Sequence, residues 1–397
     1  MGSEMCIRDR LFMVQVFSDE SKLNKSKVIS LIKNQKIGGL IYSSGGPVRQ
    51  AILNNELQSV SKLPLLIGMD AEWGLNMRLD STFAFPWNMT LGAISDLGLI
   101  RKTGKHIGEH CKRLGVHFNF SPVVDINTNP NNPIIGNRSF GEDKINVTNK
   151  SLALMKGMQS TGILACAKHF PGHGDTDKDS HKTLPTISFN KKRLYNVEFF
   201  PYETLIRHGL SSVMVAHLNV PALDSRTNYP SSLSEKIITN NLKSKLNFKG
   251  LIFTDALDMN GVSNFSSPGD VDLNAFLAGN DILLMSKDVI SGINKIELAY
   301  NQGRINESRL SHSVKKILYA KFKVGLNNYS PIEISNIISD VNRVEDKLLN
   351  FDLIKKSQTV IKNDNNILPL KNLDLRKIAY VPICLLYTSD AADDVRG

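Results

Sequence analysis

The sequence predicts an α/β fold, a (β/α)8 barrel of the TIM type, followed by the truncated start of a second domain. Eight short apolar runs, rich in β-branched residues, recur along the chain, and segments that can be helical lie between them. Polar residues cluster at or just after the ends of these runs. An open, doubly wound sheet is the alternative on pattern alone, but eightfold strand–helix alternation favours the barrel.

Each predicted strand is a continuous apolar run, as expected for strands that are buried on both faces of a parallel sheet. In chain order the runs are 12–17, 39–42, 64–69, 116–125, 165–170, 212–216, 250–254 and 281–285. The segments between them with helical character include 26–34, 99–114, 146–159, 194–208 and 234–246.

Composition is ordinary for a globular protein and limits the possible partners. The 397 residues are 41% hydrophobic and 22% charged, and the formal net charge is +10. Lys and Arg are scattered, without a run of five or more, so we expect a solvated basic surface and no nucleic-acid partner. The four cysteines are far apart, which argues against a disulfide framework or a zinc site. No stretch approaches the roughly 18 continuous apolar residues of a membrane helix.

The two ends of the chain do not match what they flank. Residues 1–10 and 384–397 resemble translated adapter or vector sequence, and they are excluded from the fold prediction. From about residue 327 the periodic pattern loosens into polar sequence. We therefore expect a barrel over 11–345, with a linker and the incomplete start of a second domain over 346–383.

The segment from Lys168 to His181 is the most unusual in the chain. Its fourteen residues include three histidines and three aspartates around a proline and two glycines, a composition that core packing does not require. Within it, Asp179 and His181 are two residues apart, so a tight turn can bring the carboxylate to one ring nitrogen. Such a pair can donate a proton near neutral pH and take it back later.

Two metal-binding interpretations of this segment fail on spacing. The alternating aspartates of 175–179 mimic the first ligands of a calcium loop, but Ser180 stands where that loop needs glycine and Thr186 where it needs glutamate. His169 and His173 have zinc-ligand spacing only on a helix, which the intervening Pro-Gly pair breaks. No metal and no cofactor is predicted.

Asp255 directly follows the seventh apolar run, which would place it at the mouth of the barrel. An aspartate at a strand end can also cap the next helix, so its position alone does not decide its role.

Together these segments resemble glycoside hydrolase family 3, specifically its β-N-acetylglucosaminidase branch, over roughly residues 11–345. The Lys-His-Phe-Pro-Gly-His-Gly stretch from Lys168, followed by Asp-Ser-His, carries the resemblance. It implies that Asp255 is the nucleophile and that Asp179 and His181 supply acid/base catalysis. In the family's β-glucosidases a glutamate of the second domain often serves as the acid. Here the histidine segment would supply the acid from the barrel, so that the barrel alone can hold a complete site.

The resemblance also implies a set of sugar-binding residues. Asp70 matches the family's strand-end aspartate, Arg78 an arginine eight residues later, and Arg138 an Arg-Ser-Phe loop, with Lys168 and His169 completing the set. The family usually has Gln-Glu-Gly-Gly after that aspartate. Here the sequence reads Ala-Glu-Trp-Gly, which leaves the surroundings of Trp73 open.

The implied activity is release of terminal, non-reducing β-linked N-acetylglucosamine through a covalent glycosyl-enzyme. Peptidoglycan fragments (muropeptides) are the substrate implied by the resemblance. A family 3 β-glucosidase, an N-acetylglucosaminide phosphorylase and an inactive sugar-binding module are the alternatives.

Overall fold

A computed structural model describes residues 9–180, 183–375 and 377. Eight parallel strands form one sheet in the order β7-β6-β5-β4-β3-β2-β1-β8. A parallel bridge between Phe253 and Ile282 joins the two outer strands and closes the ring. The strands are β1 (Phe12–Val16), β2 (Gly39–Tyr42), β3 (Leu66–Met69), β4 (Phe118–Asn119), β5 (Leu164–Phe170), β6 (Ser212–Val215), β7 (Leu251–Thr254) and β8 (Leu283–Leu284).

The (β/α)8 barrel predicted from the sequence is confirmed, and every predicted apolar run contains a strand. The fourth run is the least regular. It pairs as a strand only over Phe118–Asn119 and returns to the sheet through a bridge between Val123 and Lys168. Pro122 lies between these two points and has no N–H to donate to a neighbouring strand, so the ladder is interrupted there.

Helices fill the connections between the strands. They are α1 (Lys25–Ser30), α2 (Pro47–Ser59), α3 (Asn88–Gly92), α4 (Leu97–Arg113), α5 (Lys144–Gln159), α6 (Lys191–Arg193), α7 (Phe200–Arg207), α8 (Asn260–Ser263), α9 (Pro268–Ala278), α10 (Val289–Asn301), α11 (Glu307–Lys323), α12 (Ile337–Asp340) and α13 (Val344–Ser357). Three further segments have π-helical hydrogen bonding: Leu31–Gln35, Leu194–Glu198 and Lys236–Lys245. All five segments with predicted helical character are therefore largely helical.

Local sequence explains where the long helices begin. Asp96 accepts a hydrogen bond from the N–H of Gly98 (2.8 Å) at the start of α4, and Asp143 accepts one from Asn146 (2.7 Å) at the start of α5. Both side chains satisfy N–H groups that lack a partner within the helix. Buried residues of α4 recur as Ile100, Ile107 and Cys111, which gives this helix one apolar face toward the barrel.

Aromatic rings fill the interior of the barrel. The ring of Phe253 on β7 makes edge-to-face contacts with Phe118 (5.1 Å between centroids) and Phe120 (5.3 Å) from the β4 side. Gly68 on β3 leaves room for Phe120, because an added Cβ there would lie 2.8 Å from that ring. The interior is therefore a packed core, and any site must lie on a face of the barrel.

The first compact unit extends through Ser357, beyond the boundary near 345 expected from the sequence. Helix α13 belongs to this unit because Asp346 is fully buried against α4, where it contacts His106 (2.7 Å) and His110 (3.0 Å). The second unit starts at residue 358. Its described residues are exposed, and their helical turns are Asp364–Asn366 and Leu373–Leu375. That 346–383 begins another domain stays a prediction.

Cys111 and Cys166 are buried free thiols, whereas Cys6 and Cys384 lie outside the described residues. Among the helices of the described chain, none combines the length and the apolar character that crossing a membrane requires. The prediction that 1–10 and 384–397 are non-native ends falls almost entirely outside the described residues.

Candidate active site

The carboxyl-terminal ends of four strands bring charged side chains to one face of the barrel. Asp70 follows β3, Asp125 follows the β4 segment, Lys168 and His169 lie near the end of β5, and Asp255 follows β7. In a parallel barrel these ends meet on the same face, whatever their separation in sequence. Residues from four separate parts of the chain therefore lie on one face of the barrel.

A network of ion pairs occupies the β3–β5 side of this face. The ammonium of Lys168 lies 2.7 Å from a carboxylate oxygen of Asp70 and 2.7 Å from one of Glu72. The second oxygen of Asp70 accepts from Arg78 (2.6 Å). Arg138 donates two hydrogen bonds to Glu72, of 2.7 and 3.0 Å. The structure thus brings together Asp70, Arg78, Arg138 and Lys168, all predicted as sugar-binding residues.

The pairing fixes the charge state of the network. Burial alone would raise the pKa of Asp70, but Lys168 and Arg78 hold it well below its usual value. Burial opposes ionisation of Glu72 as well, yet Arg138 and Lys168 lower its pKa to about 2. The pKa of Lys168 is raised because the two carboxylates outweigh its burial. All three groups are therefore charged near neutral pH.

His169 is held in one tautomer by Asp125. The Nδ1 of His169 lies 2.7 Å from Asp125 Oδ2, and its backbone N–H donates to the same carboxylate. Nδ1 therefore carries a proton, and Nε2 faces the guanidinium of Arg138 at 3.4 Å, where it can only accept. His169 thus joins the predicted set.

Sequence reasoning did not include Glu72 and Asp125 in the site. Two signals could have found them. Glu72 lies two residues after Asp70 at the same strand end, and Asp125 is the last residue of the fourth predicted run. Both have side chains that are fully buried, and each binds a cation or a histidine of the predicted set.

The first half of the histidine segment is tightly anchored. His173 donates its backbone N–H to Asp125 (2.7 Å), and its ring nitrogens contact the hydroxyls of Thr176 (2.7 Å) and Ser180 (2.9 Å). Burial and the nearby His169 lower the pKa of His173 to about 4, so its ring is uncharged at neutral pH and can accept a hydrogen bond. Asp175 accepts from the hydroxyl of Thr128 (2.7 Å).

The end of this segment approaches helix α8, which follows Asp255 in the chain. The carbonyl oxygens of Ser180 and Thr183 lie 2.7 and 2.6 Å from the position that a Cβ atom on Gly261 would occupy. Only glycine permits this approach. Asp179 is half-buried, and its carbonyl accepts from the N–H of Thr183 (2.9 Å). His181 lies outside the described residues, so its facing of Asp255 stays a prediction.

The backbone around Asp255 is held by the end of β6. Its N–H donates to the carbonyl of Val215 on β6 (2.8 Å). The ring of His217, just beyond β6, lies 2.8 Å from the carbonyl of Ala256. Helix α8 follows with Met259 as its N-cap residue, so Asp255 does not cap it. The side chain of Asp255 is half-buried and accepts a hydrogen bond from the N–H of Ala256 (2.9 Å).

No cluster of three or more His, Cys, Asp or Glu side chains within the described ranges is arranged to hold a metal ion. The site instead offers fixed carboxylates, cations and imidazoles. Such a set can bind several hydroxyl groups of a polar ligand at defined positions, next to a carboxylate that can act as a nucleophile.

Comparison with known proteins gives consistent results. Residues 9–320 match the model of the glycosyl hydrolase family 3 N-terminal domain. The chain is 34% identical over 375 residues to beta-hexosaminidase A of Pseudoalteromonas piscicida, a match that covers 86% of this chain and 62% of that protein. It is 26% identical to a beta-N-acetylglucosaminidase/beta-glucosidase of Cellulomonas fimi, with the same coverage of both.

A solved structure is also similar. It is a glycoside hydrolase family 3 beta-N-acetylglucosaminidase from Paenibacillus sp. str. FPU-7, which matches with a TM-score of 0.82 and 32% sequence identity, over 90% of this chain and 69% of that one. The chain spans less than two thirds of the length of the two curated relatives.

Proposed function

Because this chain belongs to glycosyl hydrolase family 3, we propose that it is a retaining β-N-acetylglucosaminidase that releases terminal, non-reducing β-linked N-acetylglucosamine. The observation that carries the proposal is the convergence of the paired Asp70, Glu72, Lys168 and Arg138 with the strand-end Asp255 on one face of the barrel. The beta-hexosaminidase and beta-N-acetylglucosaminidase named among the relatives, at 34% and 32% identity, support the sugar.

The ion-pair network would hold the sugar. Each carboxylate oxygen of Asp70 accepts from one cation and has a further lone pair for a sugar hydroxyl. The side chains of Asp70 and Arg138 are 17% and 20% exposed, so a ligand can reach them. His169, fixed by Asp125, adds a ring nitrogen. Because every member is already locked by another, the sugar would bind without reordering the side chains, which favours correct placement of its anomeric carbon.

In the proposed reaction Asp255 attacks the anomeric carbon and forms a glycosyl ester. The bond from that carbon to the leaving oxygen breaks, and His181 gives this oxygen its proton. His181, assisted by Asp179, then removes a proton from water, whose oxygen attacks the same carbon and frees Asp255. Two inversions retain the β configuration. Peptidoglycan fragments are the proposed natural source of the sugar.

Trapping the intermediate tests the assignment. A 2-deoxy-2-fluoro analogue of the glycoside slows hydrolysis of the ester, so the protein should gain the mass of one sugar. After digestion that mass should lie on the peptide that contains Asp255. The Asp255→Asn variant should gain no mass, and Asp258→Asn, three residues along on an exposed position, should be labelled like the wild type. A label on another residue would contradict the proposal.

Activity assays separate the related functions. We expect release of nitrophenol from the N-acetylglucosaminide, with Asp255→Asn slower by roughly a thousandfold or more. The name of the Cellulomonas fimi relative makes a β-glucosidase the second candidate, and faster release from the glucoside would favour it. A sugar 1-phosphate product in phosphate buffer would instead indicate phosphorolysis.

A further inference from the structure

His217 is a fully buried histidine on the same face of the barrel, outside the predicted set of site residues. It lies just beyond the end of β6. Its Nε2 is 2.8 Å from the carbonyl oxygen of Ala256, and its Nδ1 is 2.7 Å from the hydroxyl of Ser232. A carbonyl oxygen can only accept, so Nε2 carries a proton and donates it to Ala256. In the neutral ring Nδ1 then accepts from Ser232, and both ring nitrogens have a defined role.

The backbone group that His217 binds lies next to the side chain of Asp255. Ala256 donates its N–H to Asp255 Oδ1 (2.9 Å), while its carbonyl accepts from His217. The following N–H, that of Leu257, donates to the carbonyl of Leu284 on β8 (2.9 Å). Ala256 is therefore held through both of its backbone polar groups, and its N–H orients the carboxylate of Asp255. If Ala256 moved, that carboxylate would move with it.

The connection that follows β6 keeps His217 in place. The hydroxyl of Ser231 donates to the carbonyl of Ala216 (2.6 Å) and accepts from the N–H of Leu218 (3.0 Å), so the backbone on each side of His217 is fixed. Ser232 follows Ser231 directly, and the same contacts therefore bring its hydroxyl to the ring. His217 is 0% exposed, so its ring contacts protein groups and not a bound sugar.

We propose that His217 is a positioning residue for the nucleophile: through Ala256 it holds the carboxylate of Asp255 in the orientation that attack on the anomeric carbon requires. The inference rests on the proposed function and adds a residue that acts on the reaction without touching the substrate. Attack needs a close and aligned approach of oxygen to carbon, and a misplacement of about 1 Å can lower the rate on the order of a hundredfold. The ion-pair network lies on the β3–β5 side of the face, whereas His217 acts between β6 and β7, so its loss should leave sugar binding intact.

Substitutions at His217 should separate turnover from binding. In His217→Ala we expect kcat to fall on the order of a hundredfold, because the carbonyl of Ala256 loses its donor. KM for the nitrophenyl N-acetylglucosaminide, and inhibition by free N-acetylglucosamine, should change by less than about twofold. His217→Gln restores an amide N–H at the reach of Nε2 and should recover most of the lost kcat.

The rate of covalent labelling is a readout that a merely structural role would not change. With the 2-deoxy-2-fluoro analogue, His217→Ala should be labelled on Asp255 to the same final fraction as the wild type, but on the order of a hundredfold more slowly. A protein that was only less well folded would show a smaller labelled fraction at the wild-type rate. Ser232→Ala leaves the ring without the hydroxyl that fixes its tautomer and should slow labelling to a smaller extent. His208→Ala changes an exposed histidine directly after α7 and should behave as the wild type.

A kcat close to the wild-type value in His217→Ala, or a KM that rises as much as kcat falls, would overturn the positioning role. So would a reduced labelled fraction that reacts at the wild-type rate. If His217→Ala does not fold, Ser232→Ala decides, and labelling as fast as in the wild type would overturn the role. If the wild type neither releases nitrophenol nor gains a label on Asp255, the proposed function fails as well. A labelled wild type with equally fast variants overturns the positioning role alone.

Discussion

Lys168 neutralises two carboxylates at once, the fully buried Glu72 and the partly buried Asp70. Removing charges from water costs several kcal/mol for each ion, and close partners with good geometry must offset that cost. Arg78 and Arg138 complete the pairing from the outside. The stability of the fold should therefore depend on each of these charges. Lowering the pH removes the charge of a carboxylate by protonating it.

The Glu72→Gln substitution tests this dependence. The folded-state pKa of Glu72 is depressed to about 2 from its ordinary value of 4.5. Its ionisation therefore stabilises the fold above pH 4.5, and this contribution is lost as the pH falls toward 2. The shift corresponds to at most about 3 kcal/mol. Between pH 6 and pH 3 we expect the wild type to lose more free energy of unfolding than Glu72→Gln, as measured by urea titration.

A matched control is Glu345→Gln, which changes an exposed glutamate on α13. It should keep the pH dependence of the wild type. If Glu72→Gln lost as much stability on acidification as the wild type, the ion pairs of Glu72 would not contribute to folding.

Helix α13 shows how one residue attaches an element to the barrel. Asp346 is fully buried, contacts His106 and His110 on α4, and accepts from the N–H of Arg343 (2.9 Å). Burial would raise the pKa of Asp346, but the bonds from both histidines and Arg343 hold it well below its usual range. The apolar anchors of the helix are Leu349 and Leu353. The polar contacts thus fix where the helix begins.

The Asp346→Ala substitution should loosen this helix. It leaves two buried imidazoles and Arg343 without their shared acceptor, which should cost about 3 kcal/mol of unfolding free energy. Urea unfolding gives the loss, and faster trypsin cleavage at Lys355 and Lys356 would locate it. Asp352→Ala, an exposed position on the same helix, should alter neither. Unchanged stability and cleavage in Asp346→Ala would show that the two leucines alone hold the helix.

At the scale of the whole molecule, stability comes from the filled barrel and function from its face. Phe253 contacts two rings that reach across the interior from the β4 side, and two residues later the same strand delivers Asp255 to the site. The position of this side chain therefore depends on the packing of β7.

Phe253→Ala should lower the free energy of unfolding by about 3–5 kcal/mol, because it leaves a cavity among closely packed rings. Chemical denaturation is the direct measurement. Phe351→Ala, which removes a ring that is 68% exposed on α13, is the matched control and should cost little. A loss as small as that of the control would mean that the interior collapses around the missing ring.

Sequence pattern alone predicted the barrel and its eight strands, and the resemblance to the family added most of the charged residues of the site. Continuous apolar runs predict strands that are buried on both faces, and polar residues at their ends predict a site on one face. Both patterns depend only on residues that are close together in the chain, so they can be recognised without knowing how the chain packs. The Lys-His-Phe-Pro-Gly-His-Gly stretch indicated the family because it, too, is a run of consecutive residues.

Only the tertiary structure decided which side chains meet. Glu72 and Arg138 are 66 residues apart, and Asp346 lies 240 residues from His106, so no local pattern could pair them. The same holds for the stacking of Trp73 on Trp87, whose ring centroids lie 4.7 Å apart. Spacing along a strand or helix is encoded by neighbours in the chain, whereas contacts between loops depend on how the closed barrel brings the strand ends together.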